Sequence, residues 1–428
     1  MKNKLLKALL ALSIAFLYGC GGKEEKTNGQ SQKTLTVWSW NITAKALKLT
    51  LDSFNKAHPD VAVDIKDLGK SDLYDKLTVG LASGVGLPDV VIIESDRIPG
   101  YVANFPDGFW DMTAKATAIV KDFDQSKWAQ SEIDGKIVSI PWDSGPVAMF
   151  YRRDFFEKAG VDASKINTWA DLMTAGDKIQ KANPGVKLIS TAYTANDGLF
   201  RDLMNEQGTF YFNKGGEITI NGTEAVKALT IIKTLKQKGL LLNTDSWDSF
   251  VLAAKNGTIA VCVTGVWWGG TLKDQAPEIS GKWGVVLMPA LADGGNRASN
   301  EGGSTLAITT QCKNPELAWD FVSNALADSK NQLLMYKQCD LFPSYTPTYS
   351  EPSFDSPDPY FANQKIGALF ASIVPNIKPA YYTKDYAEAQ QYSITAVAEV
   401  LTKDADPKAA LDKAAQSIAN ATGRKIAK

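Results

Sequence analysis

The chain reads as an α/β protein of two domains. Short apolar runs alternate with amphipathic stretches from residue 35 to beyond residue 300, the pattern of strands joined by covering helices. Two of the runs, Pro88–Glu94 (PDVVIIE) and Thr258–Thr264 (TIAVCVT), are apolar without a break, as strands buried on both faces are. The roughly 395 residues beyond position 33 exceed what one hydrophobic core ordinarily supports.

Taken in order, Leu35–Trp40 is a short apolar strand. Ala44–Ala57 has helical spacing, with Ala46, Leu47, Leu51 and Phe54 on one face, and Val61–Leu68 alternates as a strand. Asp72–Ala82 is helical and leads to the buried strand Pro88–Glu94. This alternation predicts a parallel sheet covered on both sides, with ligands bound at the carboxyl ends of its strands; those ends, Ser39–Asn41 and Glu94–Arg97, are polar. Pro146–Tyr151 and Ile259–Val263 are further strands. Arg153–Ala159, Ala170–Lys181, Thr223–Lys238 and Trp247–Lys255 are helices, the first and third closed by Gly160 and Gly239. A strand at Ser304–Thr309 precedes helices near Pro315–Ala327 and Ser329–Lys337, and the segment from Asp385 to Ala419 is mostly helical.

Composition narrows the function. With a formal net charge of −1, the chain offers no electrostatic footprint for nucleic acid or an anionic membrane surface. His58 is the single histidine, at a helix end, and no GxSxG motif accompanies it, so a histidine-assisted nucleophile is not expected. The four cysteines show no zinc spacing. Cys262 reads as a core thiol, whereas Cys312 and Cys339 flank two helices and leave a disulfide open. There is no P-loop, and no metal or cofactor is expected.

The amino terminus reads as an export signal. Lys2, Lys4 and Lys7 precede the apolar run Leu5–Phe16, which is shorter than the ~20 residues of a spanning helix, and Leu17-Tyr18-Gly19-Cys20 follows. This pattern resembles the lipobox of bacterial lipoproteins, which implies a signal peptide over residues 1–20 and lipidation of Cys20. Residues 21–33 (GGKEEKTNGQSQK) hold no large apolar side chain and read as a flexible tether. The body is then expected outside the cytoplasm, held beside a membrane by lipid alone.

The succession VWSW, FNKAHPDVAV, LPDVVIIESDRIPGY, IPWDSGPVAMFYRRDFFEKAG, TWADLMTAGDKI, NGTIAVCVTGVWW, WGVVLMPA and EGGSTLAI spans nearly all of the chain beyond the tether. In order and spacing it resembles the extracellular solute-binding proteins of carbohydrate ABC transporters, the class that includes maltose-binding protein. The resemblance implies a two-lobed periplasmic-binding-protein fold with a cleft between lobes and several hinge crossings. Lobe one would comprise residues 34–145 plus 303–343 and lobe two residues 146–302 plus 344–428. It implies a monomer that closes on a mono- or oligosaccharide without making or breaking a bond. The loaded form would deliver its cargo to transmembrane permease subunits driven by a separate ATPase.

A sugar offers apolar C–H faces and a rim of hydroxyls, so its site needs flat aromatic surface and charged hydrogen-bonding groups. Eleven tryptophans and fourteen tyrosines exceed what any site uses, so position selects among them. Trp267 follows Gly265 at a strand end where the resemblance places a stacking tryptophan, with Trp268 beside it. Trp40 and Asn41 end the first strand. Asp96 and Arg97 match an Asp–Arg pair that meets sugar hydroxyls in maltose-binding protein, and Glu94 stands next to them. Trp142 and Asp143 precede the crossing at Pro146 and are expected to face the cleft. Glu301 and Gly302 precede the return strand, and Trp247 opens a lobe-two helix. Phe200, Tyr193 and Tyr381 are weaker candidates. In one departure, Gln390 and Gln391 stand where maltose-binding protein has an aromatic pair, which implies more hydrogen bonding and less stacking there. Two rival readings remain open: the same fold carrying a polyamine or another small solute, and an anchored glycoside hydrolase using two of these carboxylates.

Overall fold

The computed structural model describes residues 33–428; the expected signal peptide over residues 1–20, with Cys20, lies outside them, as does the expected tether over residues 21–33 apart from Lys33, which opens the first strand. The strands, in chain order, are β1 (Lys33–Ser39), β2 (Val61–Asp67), β3 (Val90–Glu94), β4 (Glu132–Ile133), β5 (Lys136–Ile137), β6 (Ile140–Pro141), β7 (Val147–Arg152), β8 (Lys187–Thr191), β9 (Leu241–Asn243), β10 (Ile259–Gly265), β11 (Trp283–Leu287) and β12 (Ser304–Ile308). They form two five-stranded sheets, ordered β2-β1-β3-β12-β6 and β11-β7-β10-β8-β9, with β4 and β5 as a separate hairpin. Each sheet is the centre of one lobe.

Both sheets are mixed, where the sequence pattern predicts parallel ones. β1 runs parallel to β2 and β3, but β12 is antiparallel to β3 and β6. β8 runs parallel to β9 and β10, but β7 is antiparallel to β10 and β11. The reason is the route of the chain. β3 and β10 end at the junction between the lobes, whereas β7 and β12 begin there, because the chain has just crossed from the other lobe.

The core explains the unbroken apolar runs. Along β7, Val147 and Met149 join one buried cluster, with Trp169, Phe200 and Leu229, while Ala148 and Phe150 join another, with Trp268, Trp283 and Phe370. Successive side chains point to opposite faces, so a strand covered on both must be apolar at every position. The first sheet has its own cluster, including Val37, Leu47, Ile92, Trp142 and Phe321. The stretch read as one helix from Ala44 to Ala57 is two, Asn41–Leu49 and Leu51–Ala57. The Thr50 hydroxyl donates to the Leu47 carbonyl at 2.8 Å at the break. The helix Trp169–Ala182 starts on a capping box, in which Thr168 and Asp171 each accept the other's backbone N–H.

Three segments lie side by side at the junction. Glu301 N–H donates to the Gly145 carbonyl and Ser144 N–H to the Phe342 carbonyl, so residues 142–147 bond to a neighbour on each side. Gly302 and Gly303 have φ of 87° and 107°, where a side chain is strained. Cys262, Cys312 and Cys339 are buried free thiols, which resolves the open disulfide question against a bridge. Burial holds the Cys262 thiol far above its ordinary pKa and pushes that of Cys312 up to about 12. Among the described residues no helix is long and apolar enough to cross a membrane.

Candidate functional site

The carboxyl ends of the strands converge on the junction. Beyond β3, the Glu94 carboxylate is held by the Lys70 ammonium, by the Tyr74 hydroxyl at 3.1 Å and by Arg97 Nε at 3.1 Å. Ser95 donates its N–H to the Gly303 carbonyl at 3.1 Å. Among the described residues, Asp96 Oδ1 is buried without a hydrogen-bond partner. Burial first, and then the neighbouring Glu94 charge, raise the Asp96 pKa, opposed by Arg201, Arg97 and Lys127. Lys127, 1% exposed, donates to the Gly302 carbonyl at 2.8 Å and to Gln130 Oε1 at 2.9 Å. Burial lowers its pKa against the pull of Asp143, Asp124 and Asp96.

Lobe two presents the helix Gly198–Glu206. Its Arg201 donates Nε to Asp197 Oδ1 at 3.0 Å and Nη1 to the Tyr386 hydroxyl at 3.2 Å. Asp197 also accepts from the Tyr211 hydroxyl and from Ser393 Oγ at 2.5 Å. Asp202 is buried, and burial followed by the charge of Glu301 raises its pKa strongly. Glu301 accepts from Thr264 Oγ1 at 2.7 Å and from Gly265 N–H at 3.2 Å, and its backbone carbonyl takes the Trp267 indole N–H at 3.0 Å.

Two adjoining cavities result. One, of about 310 Å³, lies between the lobes against Asp96 and Gln130 of the first and Arg201, Trp267 and Tyr382 of the second. The other, of about 320 Å³, is lined by Thr191, Asn196, Asp202, Trp247 and Phe250, all in lobe two. Arg201, Trp267 and Glu301 line both. A half-buried indole face, carboxylates and one guanidinium together suit a small, flat, hydroxyl-rich solute.

Of the residues expected at the site, Glu94, Asp96, Trp247, Trp267, Glu301 and Gly302 line these cavities. The others stand behind or beside them. Trp40 is 9% exposed, caps the helix after β1 and has its ring centroid 5.8 Å from that of Tyr74. Exposed Asn41 donates its N–H to Asp67 at 2.7 Å. Arg97 lies over the Tyr74 ring at 4.3 Å. Trp142, expected to face the cleft, is fully buried in the first core instead. Asp143 points to the return strand, where Ser304 N–H donates to it at 2.8 Å. Trp268 is fully buried and stacks on Phe250 with centroids 4.3 Å apart.

Sequence reasoning missed Gln130, Arg201, Asp202 and Tyr382. Arg201 and Asp202 fall in a stretch for which the sequence reading gives no element, although LFRDLMNE carries apolar residues at helical spacing. The carboxyl-terminal region is also more aromatic than Gln390 and Gln391 suggest. Gln390 reaches only Asp197, at 3.5 Å, whereas Tyr382 lines the cleft and packs on Tyr386 and Phe210. His58 stacks on Phe54, away from these cavities.

Residues 39–332 match the family described as bacterial extracellular solute-binding protein. The lactose-binding protein of Rhizobium radiobacter is 30% identical over 399 residues, covering 90% of this chain and 93% of its own. The arabinooligosaccharide-binding protein of Bacillus subtilis (strain 168) is 26% identical over 437 residues, covering 97% and 99%. The ABC transporter associated binding protein from B. animalis subsp. lactis Bl-04, solved in complex with β-1,6-galactobiose, superposes with a TM-score of 0.74 at 26% identity, covering 92% of this chain and all of that one.

Proposed function

The chain belongs to the bacterial extracellular solute-binding protein family, and from that premise we propose that its cleft captures a carbohydrate for an ABC importer. The observation that carries this reading is Trp267, an indole fixed edge-on by Glu301 and placed among Asp96, Glu301 and Arg201. A ring face stacks on sugar C–H groups while the ionic groups take its hydroxyls. The relatives named for lactose and arabinooligosaccharide agree with that chemistry. Glu94, Asp96, Trp247, Trp267, Glu301 and Gly302 are the contacts proposed from the sequence, joined by Arg201, Asp202 and Tyr382. Trp40, Arg97, Trp142, Asp143 and Trp268 support them from behind.

In this reading lobe one (34–145 plus 303–343) and lobe two (146–302 plus 344–428) close on the sugar, and the closed form docks on permease subunits powered by a separate ATPase. Closure follows because a ligand touching both lobes binds the closed state more tightly. Lipid on Cys20 would hold the protein at the membrane, and Cys20→Ser is expected to release it into the medium or periplasm. Four carboxylates, Glu94, Asp96, Asp202 and Glu301, favour a polyamine as the second reading, but Arg201 stands among them and opposes a cation. The test is thermal unfolding of the tether-free protein against mono- and oligosaccharides and polyamines. A bound ligand raises the melting temperature. A rise with one sugar class is expected, and a rise with putrescine or spermidine alone would replace the sugar by a polyamine. Incubated oligosaccharide is expected to stay intact; shorter products would make the protein a hydrolase.

A further inference from the structure

Two carboxyl groups meet on one wall of the cleft. Asp202 stands four residues after Gly198 on the helix Gly198–Glu206, and residues at that spacing lie on one helix face. Glu301 reaches the same face from the crossing segment: its Oε1 lies 3.2 Å from where a Cβ on Gly198 would stand. Both carboxyl groups line the cavity of about 320 Å³. The other Glu301 oxygen is engaged, accepting from Thr264 Oγ1 at 2.7 Å and from Gly265 N–H at 3.2 Å. Among the described residues no protein group donates to the Asp202 carboxyl, although the residue is 2% exposed.

The charges around the pair leave it without a cation of its own. Arg201 is the one basic group among the residues lining that cavity. It is already matched, since its Nε donates to buried Asp197 at 3.0 Å and its Nη1 to the Tyr386 hydroxyl at 3.2 Å. Asp197 adds its own negative charge toward Asp202, and the Tyr382 hydroxyl faces Asp202 as an un-ionised group. An ionised Asp202 would be a second buried negative charge beside Glu301. Burial first, and then Glu301, hold the Asp202 carboxyl well above the usual carboxylate range, with Arg201 opposing and Asp197 reinforcing.

Resting on the carbohydrate reading, we infer that Asp202 is a specificity-determining residue that meets the sugar as a neutral carboxylic acid, donating a hydrogen bond to a sugar oxygen beside the Glu301 carboxylate. A protonated carboxyl is a donor, whereas an ionised one only accepts. Ring and glycosidic oxygens of a sugar only accept, so they are served by the acid and not by the carboxylate. The sugar displaces cavity water, which disfavours the charged form further. The bound state therefore holds the Asp202 proton more tightly than the empty one. Capture takes that proton from solvent, breaks no bond of the sugar, and weakens as pH rises through the titration of Asp202.

Calorimetry with lactose, arabinobiose and β-1,6-galactobiose tests this, run in phosphate and in Tris, whose heats of ionisation differ. Binding is expected to take up as much as about one proton per sugar, and affinity to fall at least about tenfold between about pH 5 and about pH 9. Asp202→Asn, neutral and still a donor, should bind with no proton uptake and with an affinity flat in pH. Asp202→Leu, of similar size but without a donor, should weaken binding at least about tenfold at every pH. Infrared difference spectra of the sugar-bound protein, wild type minus Asp202→Asn, should show the band of a protonated carboxyl group at neutral pH. A carboxylate band in its place, a wild-type affinity independent of pH, or a fall with pH that persists in Asp202→Asn would overturn the role of Asp202 and leave sugar binding standing. Binding of none of these sugars, with putrescine bound instead and protons released, would overturn the carbohydrate reading beneath it.

Discussion

Replacing Trp267 by alanine removes a stacking face and the indole bond to Glu301 together, and is expected to weaken sugar binding by about 1–3 kcal/mol. Trp267→Phe keeps a face and should recover part of that loss; unchanged calorimetric affinity in the alanine variant would make the ring a packing residue. Glu206 supplies a pH test. Burial pushes its carboxyl from an ordinary 4.5 up to about 8, against the Leu291 N–H it accepts at 2.8 Å. Between these values the unfolded chain has lost the proton and the folded one keeps it, so stability falls as pH rises from about 4.5 to 8 and is flat beyond, by about 1.4 kcal/mol per pH unit within the window. Glu206→Gln should flatten the melting temperature across that window, and an unaltered slope would assign it to other groups. Asp197, fully buried against Arg201, Tyr211 and Ser393, should cost about 3–5 kcal/mol on conversion to alanine, read by chemical denaturation, because the guanidinium is left unpaired. At this scale the sequence was uneven. Asp96 and Glu301 were legible because they follow or precede a strand at the junction. Trp267 stood ahead of Trp268 through the resemblance alone, because adjacent residues at a helix start point in different directions and only packing decides which faces the cleft. Arg201 lay hidden in a helix whose mixed polarity reflects burial on most sides.

In the proposed reading, closure depends on the crossing segments. A methyl group on Gly303 would stand 2.4 Å from Lys127 Nζ and 2.7 Å from the Asp143 carbonyl, in a backbone region that side chains avoid. Gly303→Ala is expected to destabilise the protein by about 1–3 kcal/mol and to slow or block closure. A melting temperature and ligand-induced compaction both equal to wild type would remove this glycine from the hinge. Elements themselves were largely legible: β3 and β10 stand where their apolar runs predicted, and the helix Trp247–Lys255 matches to the residue. What stayed hidden was strand direction. An apolar run such as Ser304–Ile308 looks the same whether it runs with or against its neighbour, and only the path through the other lobe makes β12 antiparallel. Short pieces such as β6 carry too few residues for any period to register.

For the molecule as a whole, saturating disaccharide is expected to reduce the radius of gyration and to raise stability by about 2.7 kcal/mol at a hundredfold excess over Kd. An unmoved radius with a raised melting temperature would mean binding without closure. The two-lobed plan followed from length and from the resemblance, while the arrangement of the cleft required Arg201, Glu301 and Tyr382 to be brought together from distant segments. The position of β12 has a further consequence, for the order in which the protein can be made. It lies between β3 and β6, and Ser95 bonds to Gly303, 208 residues further along the chain. Until the ribosome has delivered Ser304–Ile308, β3 keeps an open edge and β6 has no partner. The first sheet therefore finishes only after all five strands of the second have been synthesised. A product truncated before residue 304 would possess all five strands of the second sheet and an unfinished first one, so the two lobes cannot be separated by cutting the chain once.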